Sequence, residues 1–108
     1  MTTFDERERA FETQFARDQE MQFKITARRN RLLGLWAAQK MGLSQAEADS
    51  YAGEVIRADF EEAGDEDVIR KLVGDLTAAG IEVSEAEIQG EIELKTVEAR
   101  RQFIESIE

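Results

Sequence analysis

"LLGLWAAQKMGLSQAE", Leu32 to Glu47, shows how this chain is put together. An apolar run stops at Gly42, and Leu43 follows it, which suits a left-handed C-terminal cap. Ser44-Gln45-Ala46-Glu47 then reads as a capping box: a serine at the N-cap and a glutamate three residues on, each able to satisfy an orphan N–H of the other. A helix stop followed at once by a helix start predicts two helices joined by a short link, lying antiparallel or crossing steeply.

The same punctuation recurs in both directions. Gly64 separates "ADFEEA" from "DEDVIRKL", and Gly80 ends "LVGDLTAA", with Ile81 placed to fold back on Leu76 in a Schellman motif. Ser84-Glu85-Ala86-Glu87 is a second capping box, and Val83 before it can staple to Ile88. Asp65 reads as an N-cap, with Glu66 and Asp67 favourable at the positive end of the helix that follows. Thr3-Phe4-Asp5-Glu6 makes a further box near the chain's start. The predicted helices lie near 3–41, 44–63, 65–79 and 84–107.

Each carries apolar residues at helical spacing. The first offers Ile25, Leu32, Leu35 and Trp36, with Gln39 interrupting one turn later; the second offers Ala48, Ala52, Val55, Ile56 and Phe60. The third offers Val68, Leu72, Leu76 and Ala79, and the fourth Ile88, Ile92, Ala99, Phe103 and Ile107. The expected fold class is all-α: a small four-helix bundle over 18–108, preceded by an N-terminal arm, 1–17, that is helical or partly disordered.

Composition agrees and narrows the function. A chain of 108 residues is one domain by length, and 42% hydrophobic and 35% charged residues without proline suit a helical protein. No apolar run approaches the roughly 20 residues that span a bilayer, so no membrane insertion is expected. No secretory h-region opens the chain and cysteine is absent, so cytoplasmic residence is the default expectation. With no His or Cys, the Ser-His-Asp and Cys-His pairs and Cys/His zinc sites are excluded. The Glu-x-x-His pairs of a di-iron bundle are excluded too. Seven scattered glycines form neither a P-loop nor a GxGxxG loop, so a binding role is expected rather than an enzymatic one. "AGDEDV", Ala63 to Val68, lacks the spacing of a calcium loop and reads as helix capping.

The formal net charge of −10 is uneven. Residues 1–43 hold six acids against eight bases, and 44–108 hold eighteen acids against six. So acidic a body is not expected to bind nucleic acid, which needs clustered Lys and Arg; a solvated face is the plain reading.

Two segments stand out. In "FDERERAFETQF", Phe4, Phe11 and Phe15 form one narrow helical stripe that lapses at Asp18, Gln19 and Gln22. Helix-in-groove recognition uses this spacing of anchors, and Arg7, Arg9 and Arg17 beside it could pair with acidic residues around a groove. Spacing alone leaves open whether the three rings serve the chain's own core or a foreign pocket. An isolated helix this short is marginal in water, so the segment is expected to order fully only on docking. The second segment is "KITARRNR", where Lys24, Arg28, Arg29 and Arg31 either pair with the acidic helices or contact a phosphate.

Three blocks, "FDERERAFE", "ARRNRLLGLWAAQKMGL" and "ADFEEAGDEDVIRKL", carry a resemblance over nearly the whole chain. The chain resembles the ζ subunit family of alpha-proteobacterial F1Fo-ATP synthase, small inhibitors of the ATPase. The resemblance implies a four-helix bundle with an inhibitory N-terminal arm that enters a catalytic α/β interface of F1 near γ and blocks hydrolysis-driven rotation. Carried onto this chain, that arm is 1–17, with Phe4, Asp5, Glu6, Arg7, Arg9, Phe11 and Phe15 at its core. The implied partners are the F1 α, β and γ subunits, and the implied place is the cytoplasmic face of the inner membrane, held there through F1. Free, the chain is expected to be a monomer that requires no cofactor. Purine-nucleotide binding is associated with some members, which makes ADP or ATP an expected weak ligand of Lys24, Arg28, Arg29 and Arg31. The alternatives are a nucleotide-binding helical regulatory bundle, in which the arm is merely structural, and a generic helical adaptor.

Overall fold

In the computed structural model α1 spans Thr2–Met41, α2 Gln45–Glu61, α3 Glu66–Ala78 and α4 Glu85–Ile107. Backbone is described over 2–61 and 64–107, and side chains over 18–60 and 64–106. The described ends fall within two residues of those expected, and the chemistry at several of them is the chemistry read from the sequence. After α1, the Leu43 N–H donates to the Ala38 carbonyl (3.0 Å) and the Gly42 N–H to the Gln39 carbonyl (3.1 Å). After α3, Ile81 donates to Leu76 (2.9 Å) and Gly80 to Thr77 (3.0 Å). Both are Schellman pairs, which need a left-handed residue; Gly42 and Gly80 supply it at φ 72° and 83°.

The N-caps divide. At α2 the box closes both ways: the Glu47 N–H donates to Ser44 Oγ (3.2 Å) and the Ser44 N–H to Glu47 Oε1 (3.1 Å). That donation holds the Glu47 carboxyl below its ordinary range. At α4 the Glu87 N–H donates to Ser84 Oγ (3.1 Å), but the Glu87 carboxylate meets the serine hydroxyl instead of its N–H. Asp65 precedes α3 without any side-chain cap bond, contrary to the expectation. Its carboxylate is engaged elsewhere, by Arg29.

α1 packs most extensively against α2 and α4, while α3 closes the remaining side. Gly34 lies against Ala52, Asn30 against Asp59, and Phe23 against Phe60, so α1 and α2 run antiparallel. The core gathers Leu33, Ala37 and Ala38 of α1, Val55 of α2, Val68, Leu72 and Leu76 of α3, and Ile88 of α4, all fully buried. Tyr51 is buried beside them. Its hydroxyl donates to Asp75 Oδ2 (2.8 Å), and burial, followed by that carboxylate, pushes its pKa well up.

The α1 register differs from the expected one. Ile25 is buried as expected, but from there the buried apolar residues are Leu33, Ala37 and Ala38, whereas Leu32, Leu35 and Trp36 flank the core half-buried. Of the other stripes, Ala79 is exposed beyond the end of α3, and Phe60 is 61% exposed. The remaining buried positions expected on α2, α3 and α4 include Ala48, Ala52, Val55, Val68, Leu72, Leu76, Ile88, Ile92 and Ala99, and they stand in the core as read.

Candidate functional site

The basic segment Lys24–Arg31 separates into two groups with different work. Arg29 is buried. Its Nε and Nη2 donate to Asn30 Oδ1 at 3.1 and 2.9 Å, and Nη2 lies 3.1 Å from Asp65 Oδ1 and 4.0 Å from Asp59 Oδ2. Asn30, 1% exposed, completes the set by donating from Nδ2 to Asp59 Oδ2 (3.0 Å). A guanidinium taken out of water needs several acceptors at once, and here α1, α2 and the start of α3 supply them. Among the described side chains no buried polar atom lacks a partner. Arg29 therefore ties three helices together and stands apart from the other bases.

Lys24, Arg28 and Arg31 instead line one open cleft of about 570 Å³, whose apolar lining includes Phe23, Ala27, Ile56 and Phe103. Their pairings there are loose. Lys24 lies 3.3 Å from Glu20 and Arg31 3.7 Å from Asp49, all four side chains at least half exposed. Arg28 has no ion-pair partner among the described residues. Such exposed pairs stabilise by about 0–1 kcal/mol, so the three cations can turn to an incoming anion at little cost. Pattern reading found the bases; it did not find Phe23, Ile56 and Phe103, which come from three helices. Among the described residues no cluster of three or more potential metal ligands occurs. Of the carboxylates in "AGDEDV", Asp65 before α3 pairs with Arg29, and Asp67 in the first turn of α3 pairs with Arg70 at 3.5 Å.

The second functional feature is where α1 goes. Residues 18–24 are all exposed, and burial begins at Ile25. Seven consecutive residues cover nearly two turns, so every side of the helix is largely exposed there, with Phe23 still meeting Phe60 of α2. The helix nevertheless continues as one element of 40 residues, about 60 Å by its rise, beside a longest molecular dimension of 65 Å. The side chains of Phe4, Asp5, Glu6, Arg7, Arg9, Phe11 and Phe15 lie outside the described residues.

The first of the four helices therefore runs on beyond the point where the packed core begins. The chain matches the model of the ATPase inhibitor subunit zeta family over residues 1–102, and it belongs to that family. It is therefore an inhibitor subunit and not an enzyme, and membership implies association with an ATP synthase. Among solved structures, one determined by solution NMR is 49% identical; the match covers 80% of this chain and 98% of that one, with a TM-score of 0.71. No curated protein matches. Among the described residues no helix is long and apolar enough to cross a membrane.

Proposed function

We propose that the chain inhibits F1-ATPase by inserting residues 1–17 at a catalytic α/β interface near γ, where they block rotation in the hydrolysis direction. The exposed stretch 18–24 carries this reading, because it frees α1 from the body before the phenylalanine stripe begins. A wedge favours the rotational state it fits through its differential affinity alone. Phe4, Phe11 and Phe15 are the anchors, while Arg7 and Arg9 bind acidic rims; Asp5 ends the helix's first turn, where negative charge is favourable, and Glu6 follows it. Hydrolysis-driven rotation tightens the interface on the wedge, and rotation in the synthesis direction opens it.

Titrating F1 hydrolysis with the full chain and with one lacking residues 2–17 tests this. The shortened chain is expected to keep its melting temperature and lose inhibition. Phe11→Ala is expected to raise the half-inhibiting concentration roughly 10- to 100-fold, the equivalent of about 1.5–3 kcal/mol for one buried phenylalanine. A melting temperature that fell in step with inhibition would instead place the stripe in the chain's own core.

The cleft supports a second reading, an accessory phosphate or nucleotide contact. Three cations and two phenylalanines meet there, as a phosphate and a base face would require. Lys24, Arg28 and Arg31 make the contact, and Arg29 supports the wall through its buried network. Adding millimolar ADP is expected to shift the amides of these three residues, with Arg28→Ala weakening binding about tenfold, or about 1.4 kcal/mol. An unchanged spectrum removes the reading.

A further inference from the structure

The end of the bundle that α1 leaves carries an aromatic pair with no part in the core. Phe23 of α1 and Phe60 of α2 stack with ring centroids 5.1 Å apart and planes inclined by 54°. Each ring is mostly in water, at 54% and 61% exposure. Phe23 stands between two hollows: the basic cleft on one side, and on the other a space of about 190 Å³ lined by Thr26, Asn30, Ile56, Asp59 and Phe60. Lone exposed apolar residues are ordinary, but two rings from different helices, fixed against each other over a hollow, form a preorganised contact surface.

The geometry points to a second contact with the ATPase, made by the body: the Phe23–Phe60 pair seats against the F1 surface beside the crevice that the arm enters. This rests on the arm reading above, and continuity argues for it. Phe23 lies six residues beyond Arg17 on the same unbroken helix, about 9 Å along its axis, so a partner that grips the arm must face this end of the body. Area argues the same way. The exposed parts of two phenylalanines come to about 200–250 Å², far below the roughly 800 Å² per side of a stable dimer, yet useful as an extension of another contact. Charge also disfavours a second copy, since each chain carries a net −10. Lys24, Arg28 and Arg31 beside Phe23 fit a partner edge that is acidic.

Phe60 is the residue to change, because it belongs neither to the arm nor to the lining of the basic cleft. Full-length wild type, Phe60→Ala and Phe11→Ala are titrated against purified F1, with melting temperature and sedimentation measured alongside. Phe60→Ala is expected to raise the half-inhibiting concentration about tenfold, with melting within a degree or two of wild type and the chain sedimenting as a monomer before and after. Phe60→Gln, which keeps a long side chain and removes the ring, is expected to do the same. If both Phe60 variants inhibit like wild type while Phe11→Ala fails, the body contact is wrong and the arm reading stands. If Phe60→Ala weakens inhibition and Phe11→Ala does not, the body contact holds and the arm reading falls. A wild-type dimer that Phe60→Ala dissolves would overturn the proposal by giving the patch to a second copy.

Discussion

Gly34→Ala is expected to destabilise the protein by about 1–2 kcal/mol, and Gly34→Leu to prevent the bundle from forming, as read by thermal melting under far-ultraviolet circular dichroism. A Cβ at Gly34 would lie 2.6 Å from Ala52 Cα, 3.1 Å from Ala52 Cβ and 3.3 Å from the Ala52 nitrogen. The obstacle is mostly backbone, so no rotamer change relieves it and the two helices must move apart. They form the most extensive contact in the fold, and fully buried Leu33, Ala37 and Ala38 lie within one turn of the glycine. Against this, alanine gains roughly 0.8–1.0 kcal/mol of helix propensity over glycine. Overpacking costs about 1–3 kcal/mol and more where backbone must shift, so the clash wins. Gly90→Ala is the control. It sits within α4 with nothing within 4 Å of the added carbon. There the propensity gain acts alone, and stability is expected to rise by up to about 1 kcal/mol. The same substitution thus has opposite signs at two helical glycines. A Gly34→Ala chain melting at or above wild type would show that α1 and α2 do not meet as closely as described.

Gly34 also shows where sequence reading succeeds and where it stops. Helix ends were legible because they depend on local chemistry: Gly42 and Gly80 in left-handed conformation, and Ser44 and Ser84 three residues before a glutamate. Those signals survive whatever the tertiary structure does. The register of α1 was not legible, because "LLGLWAA" is apolar all the way round and periodicity cannot select a face. Packing selects the face carrying Leu33, Gly34, Ala37 and Ala38, where small residues let α2 come close, and leaves the larger Leu35 and Trp36 at the edge. Asp65 was misread for a related reason. A carboxylate before a helix reads as a cap, but a buried guanidinium at 3.1 Å is the stronger partner. The functional features divide along the same line. Four bases within eight residues could be seen in one dimension; that three line a cleft and the fourth is buried depends on which way α1 is turned. Phe60 was expected in the core by its spacing. It reaches the surface because α2 is near its end there and its neighbour is Phe23, on a helix already leaving the bundle.

Asn30→Leu is expected to cost about 3 kcal/mol, more than any single exposed ion pair in the molecule, although it removes no charge. Asn30 Oδ1 accepts both short hydrogen bonds from Arg29, and its Nδ2 holds Asp59, so leucine leaves a buried guanidinium short of acceptors and a largely buried carboxylate without its donor. The penalty belongs to the stranded partners, not to the asparagine. Replacing Arg29 by methionine in the Asn30→Leu background should therefore restore part of the loss, because an apolar side chain of similar length no longer needs acceptors. The two substitutions are expected to be strongly non-additive, with the double variant more stable than the sum of the single effects by about 1–3 kcal/mol. Additivity to within about 0.5 kcal/mol would mean that Arg29 and Asn30 are solvated independently and that the network does not hold α1 to α2 and α3. Lys24→Ala gives the contrast. Its pair with Glu20 is exposed on both sides, so stability should change by no more than about 0.5 kcal/mol. The network's position gives the stability measurement its functional meaning. Arg29 and Asn30 lie one turn below Ile25, where α1 enters the body, and they fix the root of the segment that we propose inserts into the ATPase. A chain loosened there should lose inhibition before it unfolds, since the arm's direction is set by the helix turn that these two side chains hold.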